Sequence, residues 1–399
     1  MTLMNSILSQ LTDKSLWQAF MNFKLERGRL SWREYVAMEK FVEGECYLPV
    51  LDNIKHDAGL SLPQKKIVNK MGSGKKRVVY SYRDDEMMVL RLIAFLLYRY
   101  DGCLSDNCYS FRAEKSAQSA VCELNNRLKG QRWWCYKTDI HNYFNSIKIP
   151  LLLPLLNKVL CDDKPLFDFF ERMLTEPRVL CNGEIVTEEK GVMAGTPVSP
   201  FLANIYLVEL DEYFAKKGVV YARYSDDIVV FAHDEERLGE YRKHILDFVS
   251  FMGLEVNPEK EKICTPDEPF EFLGFRCHEG DVDISEATKR KLKAKIRRKA
   301  HAVRRRVTVD TDIEKVVERF IGSVNRMLFD DHESDELTWS RWFFPVINKT
   351  DGLKEIDAYI QQYVRFVASG RNNKRNYNLR YADMKRLGYR SLVNGFYKR

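Results

Sequence analysis

The chain has 399 residues and a formal net charge of +7, with 45% hydrophobic and 12% aromatic residues. That length supports two or three cores, and the composition excludes a disordered chain. No apolar run is long enough to cross a bilayer, the N-terminal stretch lacks the pattern of a signal peptide, and the nine cysteines form no CxxC pair, so free thiols in a reducing cytoplasm are expected.

In chain order, residues 1–60 read as a helical N-terminal extension. "SGKKRVVYSYRDDEMMVLRLIAFLLYRY" begins as a basic loop and a short strand, then turns helical, with Met87, Leu90, Ile93, Ala94 and Leu97 at helical spacing. "QRWWCYKTDIHNYFNSI" reads as a strand ending near Asp139. "SPFLANIYLVELDEYFAKKG" reads as one amphipathic helix opened by Ser199-Pro200 and closed near Gly218. "VVYARYSDDIVVFAH" reads as a hairpin with Ser-Asp-Asp as its turn. A helix over "EERLGEYRKHILDFVSFMG" and short strands through "PFEFLGFRCHEGDVDIS" follow, and from Glu286 the chain is helical and basic. These elements predict an α+β fold.

The charge is unevenly spread. Between Glu286 and Arg306 there are eleven Lys or Arg and one acid, and the stretch after Arg371 has Asp383 as its only acid. An ordinary solvated helix face carries balancing acids. Their absence favours a polyanion partner, with nucleic acid the natural candidate.

Aspartate is a good turn residue, so Asp226 and Asp227 alone decide nothing. A sheet that sets the end of the Asp139 strand beside this hairpin, however, would converge three carboxylates, which need a cation among them. Hard oxygen ligands suit Mg²⁺, and two such ions perform nucleotidyl transfer.

The motifs, in this order, resemble those of bacterial reverse transcriptases of the group-II-intron-like lineage over roughly residues 65–280. "YKTDIHNYFNSI" resembles the first catalytic motif, "GVMAGTPVSPFLANIYLVELD" the motif that positions nucleotide and template, and "YSDD" the Tyr-x-Asp-Asp hairpin. "SDNCYSFRAEKSAQSAV" resembles a fingers motif, "GLEVNPEKEKI" the lysine motif and "FEFLGF" the primer grip. The resemblance implies a right-hand polymerase: fingers at 61–131 and 149–184, palm at 132–148 and 185–280, basic helical thumb at 281–399.

It also implies two Mg²⁺ on Asp139 and Asp226, with Asp227 and the Ile140 carbonyl as further ligands. Lys260, with Lys262 as rival, would assist the leaving pyrophosphate. Lys70, Arg77 and Gly195 would meet the nucleotide, and Phe144 would act as a steric gate against a ribose 2′-hydroxyl. Arg112, Lys291, Lys295 and Arg298 would contact nucleic acid. The implied partners are an RNA template, deoxynucleoside triphosphates and the DNA product.

Two positions depart from the family pattern: Ala194 stands where Gln is common, and Ser110 where group II relatives often carry Gly. No zinc-type or HNH-like segment follows residue 280, and no Val-Thr-Gly signature of retron enzymes is found. The resemblance therefore turns toward stand-alone, defence-associated (antiphage) enzymes that work with a structured non-coding RNA. A template-independent or protein-primed polymerase on the same palm, and a maturase-like RNA scaffold, are the alternative readings.

Overall fold

The structure is a computed structural model that describes residues 6–26, 30–56, 59–69, 76–329, 338–371 and 379–398. Among them no helix is long and apolar enough to cross a membrane. The chain divides into two compact units: Met1–Ala120 with Arg132–Asp267, and Val121–Gln131 with Glu268–Arg399.

The first unit opens with helices Ile7–Gln10, Lys14–Glu26, Trp32–Glu43 and Leu48–Lys55. Their apolar faces gather around helix Asp84–Leu96, and Trp17, fully buried, donates Nε1–H to the Leu11 carbonyl at 2.9 Å. Ser31 and Glu34 cap the third helix reciprocally, which explains where it starts. One sheet runs in the order β2-β1-β4-β5: β1 (Gln64–Asn69), β2 (Lys76–Ser81), β4 (Arg178–Cys181) and β5 (Glu184–Thr187).

The other sheet carries the acids. It runs β6-β7-β3-β8, all antiparallel: β3 (Trp134–Asp139), β6 (Tyr221–Tyr224), β7 (Asp227–Ala232) and β8 (Lys262–Cys264). Five consecutive residues of β7, Ile228 to Ala232, are buried. A strand buried on both faces needs a continuous apolar run, and β7 has one.

The stretch read as one amphipathic helix is two, Ser199–Tyr206 and Val208–Lys216, broken at Leu207. Nor is the first half amphipathic, since Phe201 to Tyr206 are all buried. The turn is also shorter than expected: Ser225 and Asp226 form it, and Asp227 is already the first residue of β7.

The second unit holds a meander, β9 (Phe270–Phe272), β10 (Phe275–His278) and β11 (Asp281–Ile284), and helices Glu286–Arg304, Ile313–Phe329, Trp339–Phe343, Asp351–Ser369, Tyr381–Arg386 and Leu392–Tyr397. Asp357, 5% exposed, anchors the last helix by accepting from Tyr389 Oη (2.7 Å), Ser391 Oγ (2.6 Å), Leu392 N (2.9 Å) and Val393 N (3.1 Å). The fold is α+β, as the pattern predicted.

Candidate active site

The register of β3 with β7 sets Asp139 opposite Asp227. The carbonyl of Asp226, in the turn before β7, accepts from Ile140 N at 3.2 Å. On the other side of β3, Asn257 N donates to the Asp139 carbonyl at 2.8 Å. The 3₁₀ turn Pro258–Lys260 follows and brings the Lys260 ammonium onto Asp139 Oδ2. Lys262, its rival, is an exposed residue of β8 paired across the sheet with Lys137. Asp139 is 4% exposed, and its Oδ1 is buried with no hydrogen-bond partner among the described residues. Lys137 Nζ lies 3.7 Å from Asp227 Oδ1.

The three aspartates thus stand at one end of the sheet. Among the described residues, however, no three His, Cys, Asp or Glu side chains gather as a metal-holding group. The expected convergence of three carboxylates is corrected to that extent. Lys260 and Lys137 supply the positive charge that neighbouring acids require, and each engages one carboxylate. The donor set still fits a hard divalent cation. It consists of carboxylate oxygens, one of them a buried acceptor left unfilled, beside an ammonium whose charge a metal would replace.

What holds the turn is a fully buried polar network. Ser225 has φ +59°, a conformation costly for a residue with a side chain. Its N–H donates to Ser110 Oγ at 2.8 Å, and its carbonyl accepts from Arg223 Nη1 at 3.1 Å. Ser110 Oγ in turn donates to Asn204 Oδ1 (3.0 Å), and Asn204 Nδ2 donates to the Ser110 carbonyl (2.8 Å). Arg223, 0% exposed, forks onto Asp211 with Nε–Oδ1 at 2.9 Å and Nη2–Oδ2 at 2.6 Å, and Tyr221 Oη donates to the same Oδ1 at 2.9 Å. Burial opposes the Arg223 charge, but Asp211 beside it outweighs that and holds the guanidinium well above its ordinary value. Ser110 is therefore no idle departure from glycine, because its hydroxyl fixes the turn.

The loop before helix Ser199–Tyr206 is fixed just as closely. Ala194 N donates to Asn145 Oδ1 (3.0 Å) and its carbonyl accepts from Tyr80 N (2.8 Å), while Asn145 Nδ2 donates to the Val78 carbonyl (3.2 Å). Gly195 has φ +107°, and a Cβ there would stand 2.9 Å from the Tyr80 carbonyl oxygen. Gly191 is tighter still, since its Cβ would fall 2.3 Å from the Phe144 carbonyl oxygen. Both positions need glycine for close backbone approach. Phe144 is half-buried on the short helix Tyr143–Ser146, edge-on to Phe111 with ring centroids 6.4 Å apart. Phe111 also lies 6.2 Å from the Tyr224 ring, so an aromatic row runs from Phe144 to the hairpin.

Lys190 opens this loop. It is 3% exposed, and its Nζ has no hydrogen-bond partner among the described residues. Burial pushes its pKa down to about 8, against the opposing pull of Glu176 and Glu188.

The remaining expected contacts divide. Arg77 is exposed on β2, while Lys70 lies outside the described residues. Lys291, Lys295 and Arg298 are exposed along one stripe of helix Glu286–Arg304, unpaired with any acid among the described residues. Arg112 is different. Its side chain is 9% exposed, and its guanidinium donates to the carbonyls of Ser105 (2.8 Å), Cys108 (3.2 Å) and Asp101 (2.9 Å). Arg112 thus ties its own loop to the preceding turn. Sequence reading missed Lys137, Asn145, Lys190, Gly191, Asn204, Asp211 and Arg223. One signal was available: Arg223 shares the inward alternation of Tyr221 on an otherwise apolar strand, which requires a buried acid as partner.

Residues 63–277, more than half of the chain, match the family described as "Reverse transcriptase (RNA-dependent DNA polymerase)". The chain belongs to that family. The fold is accordingly that of a right-hand polymerase. Relatives of this chain include the "Uncharacterized 91 kDa protein in cob intron" of Schizosaccharomyces pombe, 29% identical over 173 residues, 41% of this chain and 20% of that protein. The "Retron Ec86 reverse transcriptase" of Escherichia coli is 28% identical over 26% of this chain and 33% of its own. The "Group II intron-encoded protein LtrA" of Lactococcus lactis subsp. cremoris is 28% identical over 32% of this chain and 21% of its own. The chain thus spans a third or less of each of these relatives. Apo telomerase from Candida tropicalis aligns at 13% identity and a TM-score of 0.44, over 60% of this chain and 59% of that one, a likeness that adds nothing to the family match.

Two outcomes are expected of this chain. Arg223→Met, which strands the Asp211 charge in the core, costs about 3–5 kcal/mol in chemical denaturation, and adding Asp211→Leu recovers most of that loss. A double variant no more stable than the single one rules out the stranded charge as the cause. Lys190→Met raises stability at pH 7 by on the order of 2–3 kcal/mol. Folded Lys190 releases its proton near 8 and the unfolded residue near 10.5. Between those values the unfolded chain binds more protons, so wild-type stability from this group rises with pH. The advantage of the variant therefore shrinks from pH 8 to 10.5. A constant advantage across that range would mean that Lys190 is not held at a depressed pKa.

Proposed function

We propose that this chain is an RNA-directed DNA polymerase that makes complementary DNA by two-metal nucleotidyl transfer, copying a structured non-coding RNA partner in antiviral defence. One observation carries the chemistry: Asp139 closes β3 opposite Asp227 and beside the Asp226 turn, with its buried Oδ1 left open and Lys260 on its Oδ2. Asp139 and Asp226 would hold two Mg²⁺, with Asp227 and the Ile140 carbonyl as further ligands. Bound there, the ions lower the pKa of the attacking primer hydroxyl and stabilise the charge of the departing pyrophosphate.

The chain's own residues supply the rest. Lys260, half-exposed at the same carboxylate, is placed to give a proton to the pyrophosphate. Arg77, with Lys70, offers the triphosphate its planar fork. Asn145 and Gly195 fix the loop against which the nucleotide would lie, and the Phe144 ring excludes a 2′-hydroxyl by shape. In this reading the fingers take 61–131 and 149–184, the palm 132–148 and 185–280, and the thumb 281–399. The stripe Lys291, Lys295 and Arg298 grips phosphates without sequence choice. The RNA partner and the defence role rest on the resemblance to stand-alone antiphage reverse transcriptases.

Extension of a DNA primer on an RNA template with deoxynucleotides and Mg²⁺ is the direct test. Asp226→Ala is expected to lower the rate by roughly 10²–10³-fold or more, and Phe144→Ala to admit ribonucleotides that the wild type rejects. Extension by Asp226→Ala at the wild-type rate would sink the reading. Product with no complement in the template would replace it with template-independent synthesis.

A further inference from the structure

The second unit holds a cavity of about 540 Å³ lined by helices Glu286–Arg304, Ile313–Phe329 and Trp339–Phe343. We propose that it receives one unpaired nucleotide of a bound nucleic-acid strand, its base against Trp339 and Trp342 and its phosphate among Lys295, Lys299 and Arg326. This goes beyond polymerisation, since it needs neither metal nor nucleotide transfer.

Three independent observations converge on that chemistry. The first is the pairing of walls. Trp339 and Trp342 are half-buried at the cavity, and Phe343 lies 4.7 Å from the Trp339 ring, so aromatic side chains make up one wall. Lys295, Lys299 and Arg326 line the same space and are exposed. Few ligands carry a planar ring and an anion joined by a short link. A nucleotide does, and base–aromatic stacking is insensitive to which base it is.

The second is charge. Among the described residues no carboxylate pairs with Lys295, Lys299 or Arg326. On the same helix Lys289 and Lys293 both meet Glu355 at 2.5 Å. The helix therefore carries both cations paired with an acid, Lys289 and Lys293, and cations at the cavity, Lys295 and Lys299, with no acid partner among the described residues. Lys295 also belongs to the exposed stripe with Lys291 and Arg298, so a strand held on the stripe passes the cavity mouth.

The third is an unfilled polar group. Thr338, 2% exposed, lines the cavity, and its Oγ1 has no hydrogen-bond partner among the described residues. It stands at the start of helix Trp339–Phe343 without capping it. A buried hydroxyl with no partner is costly, and the polar edge of a base or a sugar hydroxyl would satisfy it. The cavity volume falls within the ~300–1,000 Å³ typical of small-ligand pockets.

The test uses the full chain without divalent metal or nucleotides. Fluorescence anisotropy compares an RNA hairpin carrying one bulged nucleotide with the same hairpin lacking it. The wild type is expected to bind the bulged hairpin about tenfold more tightly, the factor one stacked base supplies. Trp339→Leu should reduce that preference below about twofold and leave affinity for the plain hairpin unchanged. Arg326→Gln, on an exposed side chain where folding is not at stake, should weaken the preference in the same direction. Equal binding of the two hairpins by the wild type, or full preference kept by Arg326→Gln, overturns the proposal. A chain that prefers the bulge yet extends no primer would keep this site while refuting the polymerase reading, so the two fail separately.

Discussion

The Asp211–Arg223 pair is the interaction on which the geometry of the first unit depends. Both side chains are fully withdrawn from water, at a desolvation cost of several kcal/mol per ion. That cost is offset only by good geometry, and here the fork is satisfied on nearly every side: two carboxylate oxygens, the Asn204 side chain and carbonyl, the Ser225 carbonyl and the Cys108 sulfur. The partners come from four places in the chain: the loop at Cys108, helix Ser199–Tyr206, helix Val208–Lys216 and the hairpin. A hydrophobic contact would hold these elements equally well but would tolerate sliding. A fork of directional bonds does not, and its last bond ends on the strained residue beside Asp226.

The acids add a second constraint of the opposite kind. Burying a carboxylate is costly without a partner, and Asp139 has Lys260 on one oxygen and, among the described residues, no hydrogen-bond partner on the other. Lys260 is half-exposed and at the end of a single 3₁₀ turn, so it can leave at little structural cost. Arg223 cannot. The contrast separates the two sorts of cation within one sheet: those locked by burial keep the backbone in place, and those on short exposed turns remain available for chemistry.

The legible part of this molecule was the part written in local periods. The strand ending at Asp139, the hairpin, helix Glu235–Phe251 and the basic helix after Ser285 follow from apolar spacing and turn residues, and the motif order gave the family. The unreadable part was three-dimensional. Nothing local says that Leu207 breaks a helix, because the break comes from two differently buried halves. The fingers-motif resemblance named Arg112, but only the folded chain shows its guanidinium donating to the carbonyls of Asp101, Ser105 and Cys108. Lys190 reads as one more surface lysine, and only packing shows its ammonium buried with no hydrogen-bond partner among the described residues.

The same limit applies to charge. Eleven cations between Glu286 and Arg306 read as one block, but the helix sorts them by face. Lys289 is buried against Glu286 and Glu355, and Lys293 shares that glutamate, so these belong to the fold. Both lysines reach Glu355 on the neighbouring helix Asp351–Ser369, so these pairs tie the two helices together. Of the rest, Lys291, Lys295, Arg298 and Lys299 are exposed, and Lys295 and Lys299 line the aromatic cavity, with no acid paired to them among the described residues. A charge run therefore points to a partner only after its structural pairs are subtracted, and the remainder here is a stripe with a pocket beside it.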